Sequence, residues 1–121
     1  MTKYSREHEW VRLEGDVATI GITTYAAEEL GDITFVELPD TGTSVAEGDS
    51  LCVVESVKAA SDVFAPVGGT VREVNEPLED KPEMLNQSPE KEAWLCRLDS
   101  VDAADMEALM TEEEYRAFTT E

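Results

Sequence analysis

The chain has 121 residues, 41% of them hydrophobic, and its 28 acidic and nine basic side chains give a formal net charge of −19. This length and apolar content fit one modest core, so we expect a single domain spanning residues 1–121. The negative charge disfavours nucleic acid as a partner, because it repels phosphates.

No apolar stretch approaches the roughly eighteen residues of a membrane span, and the N-terminus lacks the apolar segment of a secretion signal. We therefore predict a cytoplasmic protein without membrane association. Cys52 and Cys96 lie in apolar runs without the CxxC spacing of a metal site. Both are interpreted as buried thiols, since a disulfide would conflict with a reducing cytoplasm.

The first part of the chain alternates β-prone runs with turn residues. Residues 17–22 and 33–38 have the composition of strands. Between them, Thr24 can cap a short helix that ends at Gly31. The segment His8-Glu9-Trp10 is interpreted as an anchor for an N-terminal strand, because tryptophan favours burial and the His-Glu pair lacks the second histidine of a zinc motif.

Lys58 separates two strand-like runs, residues 51–57 and 59–66. A lysine at the tip of a tight hairpin projects into solvent on a rigid base, which suits an attachment point. The other three lysines lie in polar or proline-rich surroundings. Position alone leaves a second interpretation equally open, namely an ordinary turn lysine that protects a sheet edge.

The second half of the chain is predicted to contain two further strands and a loop. Gly68 and Gly69 are interpreted as a flexible break before a strand at residues 70–74. Residues 77–89 contain three of the five prolines, which predicts a surface loop with one helical turn at residues 83–86. A final strand is expected at residues 94–98.

The C-terminal segment is predicted to be helical. Ser100 or Asp102 can cap a helix over residues 103–110, and Thr111 with Glu114 has the pattern of a capping box before a second helix. The apolar positions have helical spacing and are interpreted as core packing rather than as a cofactor site. They are Met106, Leu109, Met110, Tyr115 and Phe118.

The run around Lys58 carries a family resemblance. Residues 54–62 (VESVKAASD) and 65–71 (APVGGTV) resemble the lipoyl-lysine hairpin of the glycine cleavage H-protein family. Five other segments match the same family in the same order, and the resemblance covers residues 8–118. These segments are residues 8–11 (HEWV), 17–23 (VATIGIT), 30–32 (LGD), 35–39 (FVELP) and 74–76 (VNE).

The resemblance implies a fold and a function. The fold is mainly β with peripheral helices, a barrel-sandwich hybrid of two small antiparallel sheets of the lipoyl/biotinyl-carrier type, with Lys58 at a hairpin tip and helices at the C-terminus. The function is that of a lipoyl-bearing carrier of the glycine cleavage system, with lipoate amide-linked to Lys58.

The resemblance also names partners. The carrier takes the aminomethyl group of glycine from glycine decarboxylase (P-protein) to aminomethyltransferase (T-protein) and passes reducing equivalents to dihydrolipoyl dehydrogenase (L-protein). Lipoylating enzymes are a further partner. An H-like protein that relays lipoyl groups, or binds partners without glycine turnover, is the alternative.

We expect no catalytic residue and no metal site in the chain itself. With one histidine and no GxSxG serine, the sequence lacks the parts of a hydrolytic triad. An imine-forming role for Lys58 is disfavoured, because such lysines need desolvation and a hairpin tip is wet. The chain is therefore interpreted as a non-catalytic carrier.

Two groups of residues are implied around Lys58. The first is a hairpin face read by the lipoylating enzyme, and the second is a groove that shelters the loaded arm, whose protonated amine needs a carboxylate when buried. The hairpin face comprises Glu55, Ser56, Val57, Ala59 and Asp62. In the groove, Glu9 and Asp62 would supply the acidic side, and Leu30 and Ile33 the apolar wall.

The sequence departs from the family pattern at residues 89–93, where relatives usually carry a tyrosine and a glycine-rich turn. The missing glycine predicts a differently shaped loop before Trp94. The acidity suggests either a salty cytoplasm, which would screen self-repulsion, or selection for solubility and basic partners.

Overall fold

The computed structural model describes residues 2–120, which form two antiparallel β-sheets with short helices around them. This confirms the predicted mainly β architecture. The strands are β1 (Thr2–Tyr4), β2 (Glu9–Glu14), β3 (Val17–Ile22), β4 (Ile33–Glu37), β5 (Ser44–Val45), β6 (Ser50–Ser56), β7 (Ala60–Phe64), β8 (Gly69–Val74) and β9 (Cys96–Asp99). The helices are α1 (Thr24–Leu30), α2 (Pro77–Asp80), α3 (Met84–Gln87), a 3₁₀ helix (Ala103–Ala108) and α4 (Glu112–Thr119).

One hydrophobic core joins the two sheets. The larger sheet has the strand order β1-β2-β3-β9-β8-β5, and the smaller sheet has the order β4-β6-β7. Val11, Ile20 and Leu98 of the larger sheet share this core with Val36 and Val54 of the smaller one, and none is more than 1% exposed. Burying side chains of this size stabilises the fold by about 1.5–3 kcal/mol each. The smaller sheet, which carries Lys58, is thus held on the larger one.

Helix α1 begins one residue earlier than the sequence predicted. The cap is Thr23, whose Oγ1 accepts a hydrogen bond from Ala26 N at 3.2 Å, and Thr24 is the first helical residue. Thr23 follows the last residue of β3 and is still extended (φ −78°, ψ 164°), because its N–H bonds to the carbonyl of His8, the residue before β2. The predicted exit at Gly31 is confirmed, with φ +79°.

Gly69 is part of a strand rather than a flexible break. It is the first residue of β8 and pairs with Val45 of β5. A Cβ at this position would lie 2.7 Å from the carbonyl oxygen of Asp99, so a side chain would push β8 and β9 apart. Glycine is needed at position 69 because β8 and β9 approach each other closely there.

The region between β8 and β9 is more helical than predicted. Helix α2 was expected to be loop, and α3 begins one residue after the predicted turn at residues 83–86. Leu78 and Leu85 are fully buried and fix both short helices on the core. Strand β9 spans Cys96–Asp99 rather than the predicted residues 94–98. Trp94 lies before the strand, and the guanidinium carbon of Arg97 is 4.1 Å from the centroid of its ring.

At the C-terminus, Asp102 rather than Ser100 is the cap, and it starts a 3₁₀ helix that is shorter than the predicted helix. Ser100 adopts φ +57° in the preceding turn. The capping box of Thr111 and Glu114 is confirmed in both of its hydrogen bonds. Of the apolar positions, Met106 and Tyr115 are buried, while the other three are partly buried against the core clusters.

Candidate functional site

Lys58 lies at the tip of the β6–β7 hairpin, where the sequence predicted it. The strands pair through Glu55 and Ala60, and the turn closes with a bond from Ser56 N to the carbonyl of Ala59 at 2.8 Å. The Ser56 hydroxyl oxygen accepts from the N–H groups of Lys58 (3.2 Å) and Ala59 (3.3 Å). Lys58 is exposed and the adjacent Val57 is 68% exposed, so a rigid turn presents the amine to solvent.

The hairpin tip rests on the segment that joins α1 to β4. Val57 N–H donates to the carbonyl of Asp32 at 3.0 Å. The Lys58 side chain lies over Gly31, where an added Cβ would be 3.5 Å from Cε. The stem of the lysine is therefore directed along the C-terminal end of α1.

A cleft of about 350 Å³ runs beside this point, between α1 and β7. It brings together three of the four predicted groove residues, Glu9, Leu30 and Asp62, although they come from different elements. Ile33 is not part of its lining. It is 4% exposed in the core, and its N–H bonds to Oδ1 of Asn86 at 2.9 Å, so its assignment to the groove wall is corrected.

Glu9 is buried in the cleft, with 2% of its surface exposed. Its Oε1 accepts from the hydroxyl of Ser5 at 2.7 Å, and its Oε2 accepts from the N–H of Phe64 at 2.9 Å. Burial raises the pKa of Glu9 to about 7, although these two hydrogen bonds act in the opposite direction. None of the three ion pairs formed within residues 2–120 involves Glu9, so this carboxyl has no cationic counterpart there.

The outer face of the smaller sheet combines acidic and apolar side chains. Phe35 stands opposite Glu55, and Val53 lies between Glu37 and Asp62 in the next row. Directly opposed residues of an antiparallel pair share a face. The predicted hairpin residues Glu55 and Asp62 therefore lie on this surface, with Phe35 45% exposed beside them.

Sequence reasoning missed a polar network behind the cleft. Tyr115 OH lies 2.8 Å from Nδ1 of His8 and 2.7 Å from Oγ1 of Thr23. The His8 ring also packs against Tyr25, with centroids 4.6 Å apart. The partners are up to 107 residues apart, and no local pattern could have indicated the pairing. The network fixes α4 against the start of α1 and confirms the anchoring interpretation of His8.

The atypical segment before Trp94 is tied to the N-terminal half of the chain. The carbonyl of Pro89 accepts from the indole N–H of Trp10 at 2.9 Å, and Oε2 of Glu90 accepts from Thr24 N at 2.8 Å. Glu90 thus provides the acceptor for an N–H group of the first turn of α1, which has no acceptor within the helix. This segment supports the helix that forms one wall of the cleft.

Neither a metal-binding cluster nor a membrane-spanning helix is found among the described residues. Within residues 2–120, no three histidine, cysteine or acidic side chains are grouped so that they could hold a metal ion. Among the helices of the same part of the chain, none is long and apolar enough to cross a membrane.

A lysine amine on a rigid hairpin, beside a cleft with a buried carboxyl, has the chemistry needed to hold a covalently attached group and to shelter its free end. These features suit a carrier with a lysine-linked prosthetic group. Lipoate fits the site, because its carboxyl can form an amide with the exposed amine of Lys58.

The chain belongs to the glycine cleavage H-protein family, whose model matches residues 2–121. It is 55% identical over 117 residues to the glycine cleavage system H protein of Acidiphilium cryptum, covering 97% of this chain and 94% of that protein. It is 52% identical over 113 residues to the H protein of Staphylococcus epidermidis, covering 93% and 90%.

The crystal structure of an H protein from Mycobacterium marinum has a TM-score of 0.88 to this fold and 34% sequence identity. The comparison covers 99% of this chain and 97% of that one. The carrier role in glycine cleavage predicted from the resemblance is supported by these relatives.

Proposed function

We propose that this carrier bears its lipoyl group on Nζ of Lys58, and that it acts in glycine cleavage as a non-catalytic component. The observation that carries the proposal is the position of Lys58, which is exposed at the hairpin tip while its stem lies over Gly31, the residue that follows Leu30 of the cleft wall. When bound, lipoate supplies a dithiolane that can be reduced and can carry a substrate fragment on sulfur. The cytoplasmic location remains a prediction.

Intact mass spectrometry of the protein from its native host tests the attachment. We expect a lipoyl adduct on the wild type that is lost in Lys58→Arg, which retains the positive charge but cannot form the amide. The exposed Lys81→Arg is the matched control and should keep the adduct. A wild type without any adduct, or an adduct that survives in Lys58→Arg, would contradict the proposal.

We further propose that Glu9 and Asp62 hold the protonated amine of the carried group, with Leu30 as apolar wall. Glu9 is buried without an ion pair, and a cation beside it would favour its charged form. Leu30 lies on the other side of the same cleft and would exclude water. In this role the chain binds the carried amine and shelters it from water, and the partner enzymes catalyse the reactions.

The lifetime of the loaded amine tests this role. Glu9→Gln should shorten it several-fold, because it removes the buried carboxyl that would pair with the amine. Asp62→Asn should shorten it less, because Asp62 lines the cleft while its Oδ1 accepts from the hydroxyl of Ser50 at 3.2 Å. Glu83→Gln is the control, since Glu83 is exposed and does not line the cleft. Equal lifetimes in the wild type and both cleft variants would rule out the assignment.

The surface around the hairpin is the proposed docking site for the partner enzymes. Within residues 2–120, all four exposed large hydrophobic side chains lie on the hairpin, on its sheet or at the cleft: Tyr25, Phe35, Val57 and Phe64. Such a concentration of apolar exposure marks an interaction surface. The acidic neighbours Glu37, Glu55 and Asp62 suit a partner with an apolar patch and basic side chains.

The proposed partners are glycine decarboxylase, aminomethyltransferase, dihydrolipoyl dehydrogenase and the lipoylating enzymes. All of them must reach a group attached to Lys58, so one shared surface beside this residue meets the geometric requirement. A reconstituted glycine cleavage assay with the lipoylated chain separates this role from a lipoyl relay, because only the first sustains glycine turnover.

A further inference from the structure

The side chain of Asn86, an exposed residue of α3, holds the segment that joins α1 to β4. Its Oδ1 accepts from Ile33 N–H at 2.9 Å, and its Nδ2 donates to the carbonyl of Gly31 at 2.8 Å. One amide therefore uses its acceptor and its donor on the two residues that flank Asp32. Because one partner is an acceptor and the other a donor, the Asn86 amide can bind them in one orientation, with Nδ2 towards Gly31 and Oδ1 towards Ile33.

This segment is the support of the hairpin tip. The carbonyl of Asp32 accepts from Val57 N–H at 3.0 Å, and Ile33 is the cross-strand partner of Ser56. Gly31 has φ +79° and lies directly beneath the stem of Lys58. A displacement of Gly31 or Ile33 would therefore move the acceptor of Val57 and the surface on which Lys58 lies.

We infer that Asn86 is a positioning residue for Lys58: it fixes residues 31–33 and thereby the orientation in which the hairpin tip offers its amine. Asn86 acts through Asp32 and Val57 rather than by touching Lys58. Catalysis by an incoming enzyme depends strongly on how well the reacting group is pre-oriented. The expected effect of Asn86 on lipoylation rests on the proposed attachment at Lys58. Its expected effect on the structure of the hairpin tip does not.

Substitutions at Asn86 can be graded. Asn86→Ala removes both hydrogen bonds. Asn86→Asp keeps an acceptor for Ile33 N–H but presents a second oxygen to the carbonyl of Gly31, where a donor is needed. Because Asn86 is exposed, neither variant opens a core cavity, and both are expected to fold.

Asn75 provides a matched control. Its Nδ2 donates to the carbonyls of Glu92 (2.9 Å) and Trp94 (2.8 Å), so Asn75→Ala also removes two bonds from a side-chain amide to the backbone. It is 8% exposed and follows β8, in the larger sheet. Its loss should lower the melting temperature at least as much as Asn86→Ala without disturbing the tip.

Two measurements on the full-length apo protein test the inference. The first is amide hydrogen exchange of Val57 by NMR, and the second is kcat/KM for lipoylation by a lipoate ligase with lipoate and ATP. Asn86→Ala should speed exchange at Val57 and lower kcat/KM, each by about three- to tenfold, since one or two hydrogen bonds are lost from the support. Asn86→Asp should fall between Asn86→Ala and the wild type, and Asn75→Ala should stay within about twofold of the wild type in both measurements.

The outcomes separate the two proposals. If Val57 exchanges equally fast in the wild type and Asn86→Ala, or if Asn75→Ala has the same effect, Asn86 does not position the tip. If exchange increases but kcat/KM does not change, the contact is structural only and the positioning role is wrong. If the wild type is not lipoylated at Lys58, the proposed attachment fails, while the exchange measurement still decides whether Asn86 holds the tip.

Discussion

Ser5 and Glu9 are joined by three hydrogen bonds. Ser5 N–H donates to the carbonyl of Glu9 at 2.9 Å, Glu9 N–H donates to Oγ of Ser5 at 3.1 Å, and the Ser5 hydroxyl donates to Oε1 of Glu9 at 2.7 Å. A residue that the family motif does not include thus holds the buried carboxyl of the cleft. Through this contact, the turn before β2 opposes the effect of burial on the pKa of Glu9.

Ser5→Ala should raise the pKa of Glu9 above its value of about 7, because the hydroxyl stabilises the charged carboxylate. The variant should also lose about 1 kcal/mol of stability, since Glu9 N–H loses its acceptor. An NMR titration of the Glu9 side chain and a urea unfolding curve measure the two effects. A pKa that stays the same or falls in Ser5→Ala would contradict the assigned role of the hydroxyl.

Glu9→Gln should change how stability depends on pH. The pKa of Glu9 is raised from 4.5 to about 7 in the folded protein, so between these values the folded state binds more protons than the unfolded state. The free energy of unfolding of the wild type should therefore fall, relative to Glu9→Gln, by roughly 3 kcal/mol as pH rises through this window. Urea unfolding of both proteins from pH 4 to 8 gives the difference, and a difference independent of pH would show that Glu9 ionises normally.

Gly21→Ala should destabilise the fold by about 1–3 kcal/mol through overpacking. Gly21 is the cross-strand partner of Trp10, and a Cβ there would lie 2.7 Å from three atoms of the indole ring. Thermal unfolding measures the loss. Trp10→Phe in the same background should recover part of it, because the smaller ring makes room; a double variant whose losses simply add would argue against the clash.

Phe35→Ser should lower kcat/KM for lipoylation several-fold without loss of stability, because Phe35 is exposed on the outer face of the smaller sheet. Phe35→Leu keeps an apolar side chain and should lie close to the wild type. The melting temperature of each variant serves as the check on folding. Equal kcat/KM for all three proteins would remove this surface from the proposed docking site.

Salt should stabilise the protein. The chain has a net charge of −19, and the three ion pairs that form within residues 2–120 offset little of the repulsion between its carboxylates. Potassium chloride shortens the screening length and weakens the repulsion between carboxylates. We expect the melting temperature to rise from low to molar salt. A flat profile would contradict adaptation to a salty cytoplasm and favour acidity as an aid to solubility.

The features that the sequence predicted well are local. The Lys58 hairpin, the Gly31 exit and the capping box of Thr111 and Glu114 each depend on residues within a few positions of one another. The errors arise where distant contacts decide. Thr23 takes the cap from Thr24 because its N–H is bonded to the carbonyl of His8.

The cleft shows the same division. Glu9, Leu30 and Asp62 could be assigned through the family resemblance, and the fold does bring them together. Ile33 follows Leu30 by only three positions, yet the turn at Gly31 directs it into the core. The bonds of Asn86 span more than fifty residues, and no pattern of composition or periodicity indicates them.

The turn at residues 56–59 closes on Ser56 and is braced against Asp32. The backbone at Lys58 is therefore a fixed base, and the rotatable bonds of the lysine side chain, with those of the lipoyl group proposed for it, would provide the reach. A carrier built in this way cannot bend its hairpin towards successive enzymes. It has to leave one active site and enter the next by turning or diffusing as a whole, so exchange between partners would set the upper limit on the turnover that it can support.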